Sequence, residues 1–450
     1  MEKILCMNKL IISFLVAIGF FVGIPQVKAD TNPEDRVYIL STVWRNIRDN
    51  FAFPKHFVQA NPDSLFKTFL PKVMNAKSEK EFSLLMTEFL ARFNDAHTRF
   101  LTIFPSATVP VQVIGLDNKV LVKNIGKRFV KRIPIGSQLV KIDGMPITDF
   151  LRTNIYPFVS APNDDWKFRK SLDSFLNGEV GSEVALEFLT PKNKYETLIL
   201  NRIEPQQLDL YEWAEVVDDR AAYVEKLSGN IAYMRLASFV NPDEVNKVFR
   251  ENLPLFRDSE GVVFDIRGNR GGSDECWNPT IFDYTAPADK DLNKSLILKC
   301  RVANGAYQEY GSQIPQLKDY ATETAMEVVQ AGGSYFSRVS DSLKIKCPII
   351  LSTDGYTGSA AEDFAVAMKN LGIAQLVGSH TVGLISYPRS FDLPNGYKYV
   401  LSTMALCNPD GTSIIETGII PDVEVEYTID DLINGKDSQL NKAIEILKRK

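Results

Sequence analysis

Only three histidines occur in this chain, His56, His97 and His380, so any reaction that needs an imidazole draws on one of them. His97 lies in NDAHTRF, where polar residues interrupt an apolar-periodic run, and His380 lies in VGSHTVG. His56, in FPKHF, sits beside a proline in an aromatic stretch and reads as structural. The serine best placed to act as a nucleophile is Ser359, in STDGYTGSAAEDF. It falls between an apolar strand pattern, CPIILSTD, and a helical one, SAAEDFAVAMKNLG. The positive end of a helix dipole at that junction favours a developing alkoxide or oxyanion, and Gly358 permits a sharp turn. An ordinary helix cap is the competing reading of the same residues. The segment is not a GxSxG elbow, which argues against an α/β-hydrolase.

A second candidate is DIRGNRGG, residues 265 to 272, where an apolar strand pattern runs into paired glycines. Without Cβ atoms, such a turn lets backbone N–H groups approach a ligand closely, as an oxyanion hole or a phosphate cradle. Neither GxGxxG nor GxxxxGK[ST] is present, which disfavours the phosphate cradle; a purely structural turn is the alternative. An acid to orient an imidazole could be any of many carboxylates, and Glu416, in IIETGIIPD, stands in a polar break between strands.

The elements that must position these groups change character along the chain. Residues 30–104 read as an N-terminal helical segment: VYILSTVWRNIRDNF and EKEFSLLMTEFLARF carry apolar residues at three-and-four spacing, and Asn61-Pro62-Asp63-Ser64 reads as a cap. Residues 105–204 shift to short β runs, VPVQVIGL, KVLVKNI, SQLVKIDG and EVALEFLT. Within them, IPIGSQLVKIDGMPITDFL resembles the later strands of a PDZ domain, which binds extended peptides by adding a strand to a sheet edge. A β-rich spacer that binds nothing is the alternative. From 205 to 450, apolar strands such as GVVFDIRG and AQLVGS alternate with helical stretches such as PDEVNKVFRENL, arguing for a layered α/β domain.

Composition narrows the function classes. The net charge of -5 gives no electrostatic case for nucleic acid. MEKILCMNK, the apolar run LIISFLVAIGFFVGI and Val27-Lys28-Ala29 before Asp30 have the layout of a secretory signal over residues 1–29, cleaved after Ala29. An uncleaved anchor is the alternative, and no second apolar span follows. The remaining cysteines, Cys276, Cys300, Cys347 and Cys407, lack CxxC spacing and clustered histidines, so no zinc site or other metal is expected, and free thiols are the default.

Five segments in order, NDAHTRF, DIRGNRGG, TGSAAEDF, VGSHTVG and ETGIIPDVEV, resemble the signature blocks of the C-terminal processing and tricorn-type serine peptidases of family S41. The resemblance covers nearly the whole mature chain and implies a crotonase-like layered α/β core without a cofactor. It implies Ser359 as nucleophile, with the N–H groups of Gly271 or Gly272 and of Ala360 as oxyanion hole. C-terminal processing peptidases use a lysine base, and here Leu384 stands at that position, with Lys369 poorly placed to substitute. The tricorn-type branch uses a histidine and a glutamate, which match His97 and Glu416, with Asp95 or Thr98 as other candidates to orient the imidazole. The expected activity is an exported serine endopeptidase acting on peptide or protein substrates docked on the PDZ-like segment. The alternatives are an inactive peptidase-fold protein binding a peptide or hydrophobic ligand, and an esterase on the same scaffold.

Overall fold

The computed structural model describes residues 31–101, 107–216, 218–302, 313–320, 322–329 and 334–449. The expected signal at 1–29 lies outside the described residues. Among those described, no helix is long and apolar enough to cross a membrane.

Four helices open the described chain: α1 Pro33–Asn50, α2 Pro54–Ala60, α3 Pro62–Met74 and α4 Glu79–Ala91. Each of α1, α2 and α3 starts on a proline, which costs nothing at a position whose N–H has no helical partner. Asn32, Asn61 and Ser78 cap α1, α3 and α4 through their side chains. Their apolar faces bury Ile39, Val43, Phe69, Phe82, Phe89 and Phe93, each worth about 1.5–3 kcal/mol relative to exposure. The chain leaves α4 through the loop that carries His97 and enters β1, Arg99–Leu101.

Residues 107–203 form a separate antiparallel sheet. Its strands are β2 Val111–Leu116, β3 Lys119–Ile125, β4 Gln138–Ile142, β5 Met145–Pro146, β6 Glu183–Leu189 and β7 Tyr195–Asn201. They pair in the order β2-β3-β4-β6-β7, with β5 on β4, so β2 is an edge strand. The helix Asp164–Ser171 packs beside β2.

The central layer is a six-stranded sheet in the order β17-β14-β13-β10-β9-β8. Its strands are β8 Ala222–Leu227, β9 Ile231–Leu236, β10 Gly261–Asp265, β13 Ile349–Thr353, β14 Gln375–Gly378 and β17 Val423–Glu424. All neighbours are parallel except β8, and β10 and β13 are buried along their full lengths, as expected of parallel strands covered on both faces. Helices Pro242–Glu251 and Ala360–Asn370 cover one face, and Ser438–Lys448 covers the other.

A third sheet, which the strand–helix alternation of the sequence did not announce, joins the first helices to the core. Its strands are β1, β11 Ile297–Arg301, β12 Met326–Val329, β15 Ser386–Asp392 and β16 Lys398–Cys407, ordered β1-β16-β11-β12 with β15 also on β16. Tyr397 and Tyr399 of the β16 segment are buried among Phe82, Phe100 and Phe391. This strand therefore belongs to the core of the N-terminal helices as well as to its own sheet.

Candidate active site

β10 and β13 lie side by side and parallel, so the turns that follow them emerge together at one edge of the central sheet. That edge, beyond the carboxyl ends of parallel strands, is where such sheets present ligand sites. The first turn is 266–272. Asp265, with its carboxylate buried, holds the guanidinium of Arg267 at 2.6 Å and accepts the Tyr233 hydroxyl at 2.8 Å. The two arginines around it, Arg267 and Arg235, hold its pKa at about 2 despite burial. The second turn, 354–359, is tied to the first by Gly358 N–H to Asn269 O (2.9 Å) and Thr357 Oγ to Ile266 O (3.1 Å). Asn269 is fully buried; its amide donates to Leu236 O at 3.0 Å and its Oδ1 accepts the Gly271 N–H at 2.9 Å.

Ser359 sits at the sharp end of the second turn with φ 56° and ψ -131°, immediately before the Ala360–Asn370 helix. A non-glycine residue held at positive φ is a strained conformation that surrounding structure must enforce. Two acceptors enforce it here: the Ser359 N–H meets Leu384 O at 3.0 Å and Glu362 Oε2 at 3.1 Å. Glu362 is fully buried, and its other oxygen accepts Thr381 Oγ at 2.5 Å and Gly383 N–H at 2.7 Å, binding the 381–384 loop to the same carboxyl. Burial raises this carboxyl to about 7, against the pull of its donors.

The structure brings together most of the residues singled out in the sequence. His97 is 3% exposed, and its Nε2 stands 3.3 Å from Ser359 Oγ although 262 positions separate the two in the chain. Burial, and the neighbouring Arg99, push the imidazole down to about 3, so His97 is neutral at ordinary pH. Gly271, at φ 91°, lies against the nucleophile: a Cβ there would stand 2.6 Å from Ser359 Cβ and 2.8 Å from the Ala360 N. Of the two glycine N–H groups, that of Gly271 is already given to Asn269. Gly272 pairs with Phe239 through bonds to its neighbours, Phe239 N–H to Gly271 O and Ser273 N–H to Phe239 O, which leaves its own N–H outside that pairing. The Ala360 N–H, in the first turn of its helix, has no intrahelical partner.

Glu416 is not brought to His97. Its carboxylate is 40% exposed and is held by Lys55 Nζ at 2.7 Å and His56 Nε2 at 3.3 Å, both from α2. The cause is packing: α2 presents two basic groups to the 414–418 turn, while Asn163 Nδ2 fixes the turn's backbone through Glu416 O at 3.1 Å. His56, read as structural, is thus the partner of this glutamate. His380 turns away from the nucleophile, its Nδ1 meeting Thr381 O at 3.0 Å. Leu384 packs its side chain against Gly358, beside the nucleophile turn, and offers no proton acceptor there.

The residue that does meet His97 Nδ1 is Ser386, whose Oγ is 2.9 Å away and in turn 2.7 Å from Ser402 Oγ. Sequence reasoning missed both serines because they belong to the third sheet. The available signal was two hydroxyls in otherwise apolar or aromatic strands, LISYP and KYVLSTMALC. Among the described residues, no cluster of His, Cys, Asp or Glu could hold a metal ion, and the four described cysteines are free thiols.

The fold and this arrangement define a layered α/β protein with a strained serine, a histidine and a glycine-rich turn at one sheet edge. Residues 230–425 match the model of peptidase family S41, and residues 32–91 match that of the tricorn protease C1 domain. The chain is 22% identical over 437 residues to a tricorn protease homolog of Saccharolobus solfataricus, covering 95% of this chain and 36% of that protein. It is 25% identical over 278 residues to a carboxy-terminal-processing protease of Bartonella bacilliformis, covering 60% of this chain and 55% of that one. Among solved structures, that of mature CPAF superposes with a TM-score of 0.67 at 14% identity, covering 93% of this chain and 98% of that one, a likeness of fold. The match to peptidase family S41 thus falls on residues 230–425, the segment that carries Ser359 and the glycine-rich turn. The chain spans only about a third to a half of the length of these curated relatives.

Proposed function

We propose that this chain is an exported serine endopeptidase in which Ser359 attacks the peptide carbonyl and His97 is the general base. The observation that carries the reading is the approach of His97 Nε2 to within 3.3 Å of Ser359 Oγ, at a serine held at positive φ. His97 takes the Ser359 proton as the Oγ–carbon bond forms. The oxyanion falls to the N–H groups of Gly272 and Ala360, with Gly271 supplying the close approach. Gly271 itself contributes space rather than a donor, since its N–H is committed to Asn269. The tetrahedral species collapses as His97 returns the proton to the leaving amine, and water then hydrolyses the acyl-enzyme by the reverse route.

Export rests on the signal-like layout of residues 1–29. The substrate is an extended peptide that docks on the 107–203 sheet. Its support is β2, an edge strand, and beside it a cleft of about 450 Å³ lined by Val113, Ile114, Arg169, Arg270 and Tyr356 among others. Near the end of β2 the Gly115 N–H donates to the hydroxyl of Tyr356, three residues before the nucleophile, at 3.3 Å.

Fluorophosphonate labelling of the purified full chain tests the reading. Labelling of the wild type that is lost in both Ser359→Ala and His97→Ala is the expected result. A folded wild type that does not label, or one that labels equally in His97→Ala, overturns it and favours a binding protein on a peptidase fold.

A further inference from the structure

His97 Nε2 can accept the Ser359 proton only if the imidazole carries its own proton on Nδ1. No carboxylate among the described residues bonds Nδ1 in this buried site, so another group must select that tautomer. The hydrogen-bond directions around His97 supply it. Asp95 is 2% exposed, and its carboxyl receives the His97 N–H at 3.3 Å, the Thr98 N–H at 3.1 Å and the Thr98 hydroxyl at 2.5 Å. Burial raises this carboxyl and its donors work against the rise; Ser402 lies against the same cluster, its N–H donating to Thr98 Oγ at 3.3 Å. With three donors on it, and no acceptor among the described residues, Asp95 is placed to accept a further hydrogen bond from Ser402. Ser402 is fully buried; a hydroxyl proton given to Asp95 leaves its Oγ lone pairs for Ser386, 2.7 Å away. Ser386 must then donate to Ser402, which leaves its own lone pairs for the proton on His97 Nδ1, 2.9 Å away.

We propose that Ser386, Ser402 and Asp95 form a hydroxyl relay that fixes the tautomer of His97, in the position where a directly bonded carboxylate would otherwise stand. Every donor in the row points the same way, from His97 Nδ1 to Ser386, to Ser402, to Asp95. None of the three touches the substrate; they are positioning residues. No proton leaves the relay: when His97 takes the Ser359 proton, the Nδ1–H stays in place. The aligned hydroxyl dipoles and the Asp95 charge face the new imidazolium, and chains of hydrogen bonds in a low dielectric reinforce one another. The fold builds the row deliberately. β1 pairs with β16 as Arg99↔Val400, and continuing that register sets His97 opposite Ser402, whose N–H also bonds Thr98 Oγ at 3.3 Å. A β-bulge between Tyr387 and Pro388 shifts β15 along β16 beside Ser386.

The inference rests on His97 acting as the base, but its test does not depend on turnover. With only three histidines, ¹⁵N-histidine spectra of the full chain resolve the tautomer of each ring. The wild type is expected to show His97 protonated on Nδ1. Ser386→Ala is expected to lose that preference and to slow fluorophosphonate labelling by about 10- to 100-fold, with Ser386→Thr restoring both. Ser402→Ala is expected to move the tautomer in the same sense. A folded Ser386→Ala protein that keeps the Nδ1–H tautomer, or that labels at the wild-type rate, overturns the relay. A wild type that shows the Nδ1–H tautomer but does not label refutes the peptidase reading and leaves the relay standing.

Discussion

Gly271→Ala probes how tightly the oxyanion turn is fitted to the nucleophile, and Gly144→Ala is its internal control. Both glycines have positive φ, 91° and 79°, so an alanine at either position pays a left-handed backbone cost of about 1–2 kcal/mol. Their surroundings differ. A Cβ on Gly144 meets nothing within 4 Å, whereas one on Gly271 lies 2.6 Å from Ser359 Cβ, 2.7 Å from Gly358 O and 2.8 Å from the Ala360 N. Two of those three atoms are backbone, so no side-chain rotation relieves the contact. Overpacking of this kind adds about 1–3 kcal/mol, giving a total of about 2–5 kcal/mol for Gly271→Ala. If the turns hold their places, the cost appears in stability. If they separate, it appears as misplacement of Ser359 from His97, where a shift near 1 Å costs about 100-fold in rate. Urea unfolding midpoints and fluorophosphonate labelling rates of both variants measure the two outlets. Gly144→Ala should label at the wild-type rate. A Gly271→Ala protein that matches Gly144→Ala in both midpoint and labelling rate would refute the fitted-turn argument.

Other outcomes follow from the same site. Asn269→Ala strands the buried Gly271 N–H and Leu236 O, at about 1–3 kcal/mol each, and urea unfolding should show a loss of about 2–5 kcal/mol; a loss under about 1 kcal/mol contradicts the assignment. Glu416→Gln should label within about threefold of wild type and cost no more than about 1 kcal/mol, because its partners hold a half-exposed carboxylate away from His97. Asp274 and the neighbouring Asp363 share a buried site, and burial raises both carboxyls, so the fold favours protons that the unfolded chain releases. That contribution is fully present below about pH 4 and is lost as pH rises through the raised titration range of the pair. Asp274→Asn should therefore gain relative to wild type between pH 4.5 and 7.5 in unfolding midpoint; an unchanged difference across that range refutes it.

The helices α1, α3 and α4 and the apolar strands of the central sheet were legible because each carries its own pattern: apolar residues at three and four, or near-continuous apolar runs. Ser359 and Gly271 were legible for a related reason, since a strand–turn–helix junction with small residues is a local pattern. Glu416 shows where locality ends. Its place near a Gly-Ile-Ile-Pro-Asp strand pointed to His97, yet the direction of its carboxylate is set by Lys55 and His56, some 360 positions upstream. Ser386 and Ser402 carry no motif, and β15 and β16 read in sequence as an unremarkable stretch between core elements. Their roles exist only because β16, which carries β15 on its side, pairs with β1, a contact across some 300 residues that no window of sequence contains.

That pairing also sets an order on the chain's own history. β16 is the strand that β1 leans on, and it is made some 300 residues after it. A nascent or truncated chain ending before residue 398 already contains Ser359 and His97, but the histidine has no strand to lie against and the loop of about 300 residues remains unclosed. Closing so long a loop is an entropic cost met only once the distal strand arrives. Nucleophile and base therefore stay strangers until β16 has been made, and the reactive pairing is a late product of the fold rather than an early one.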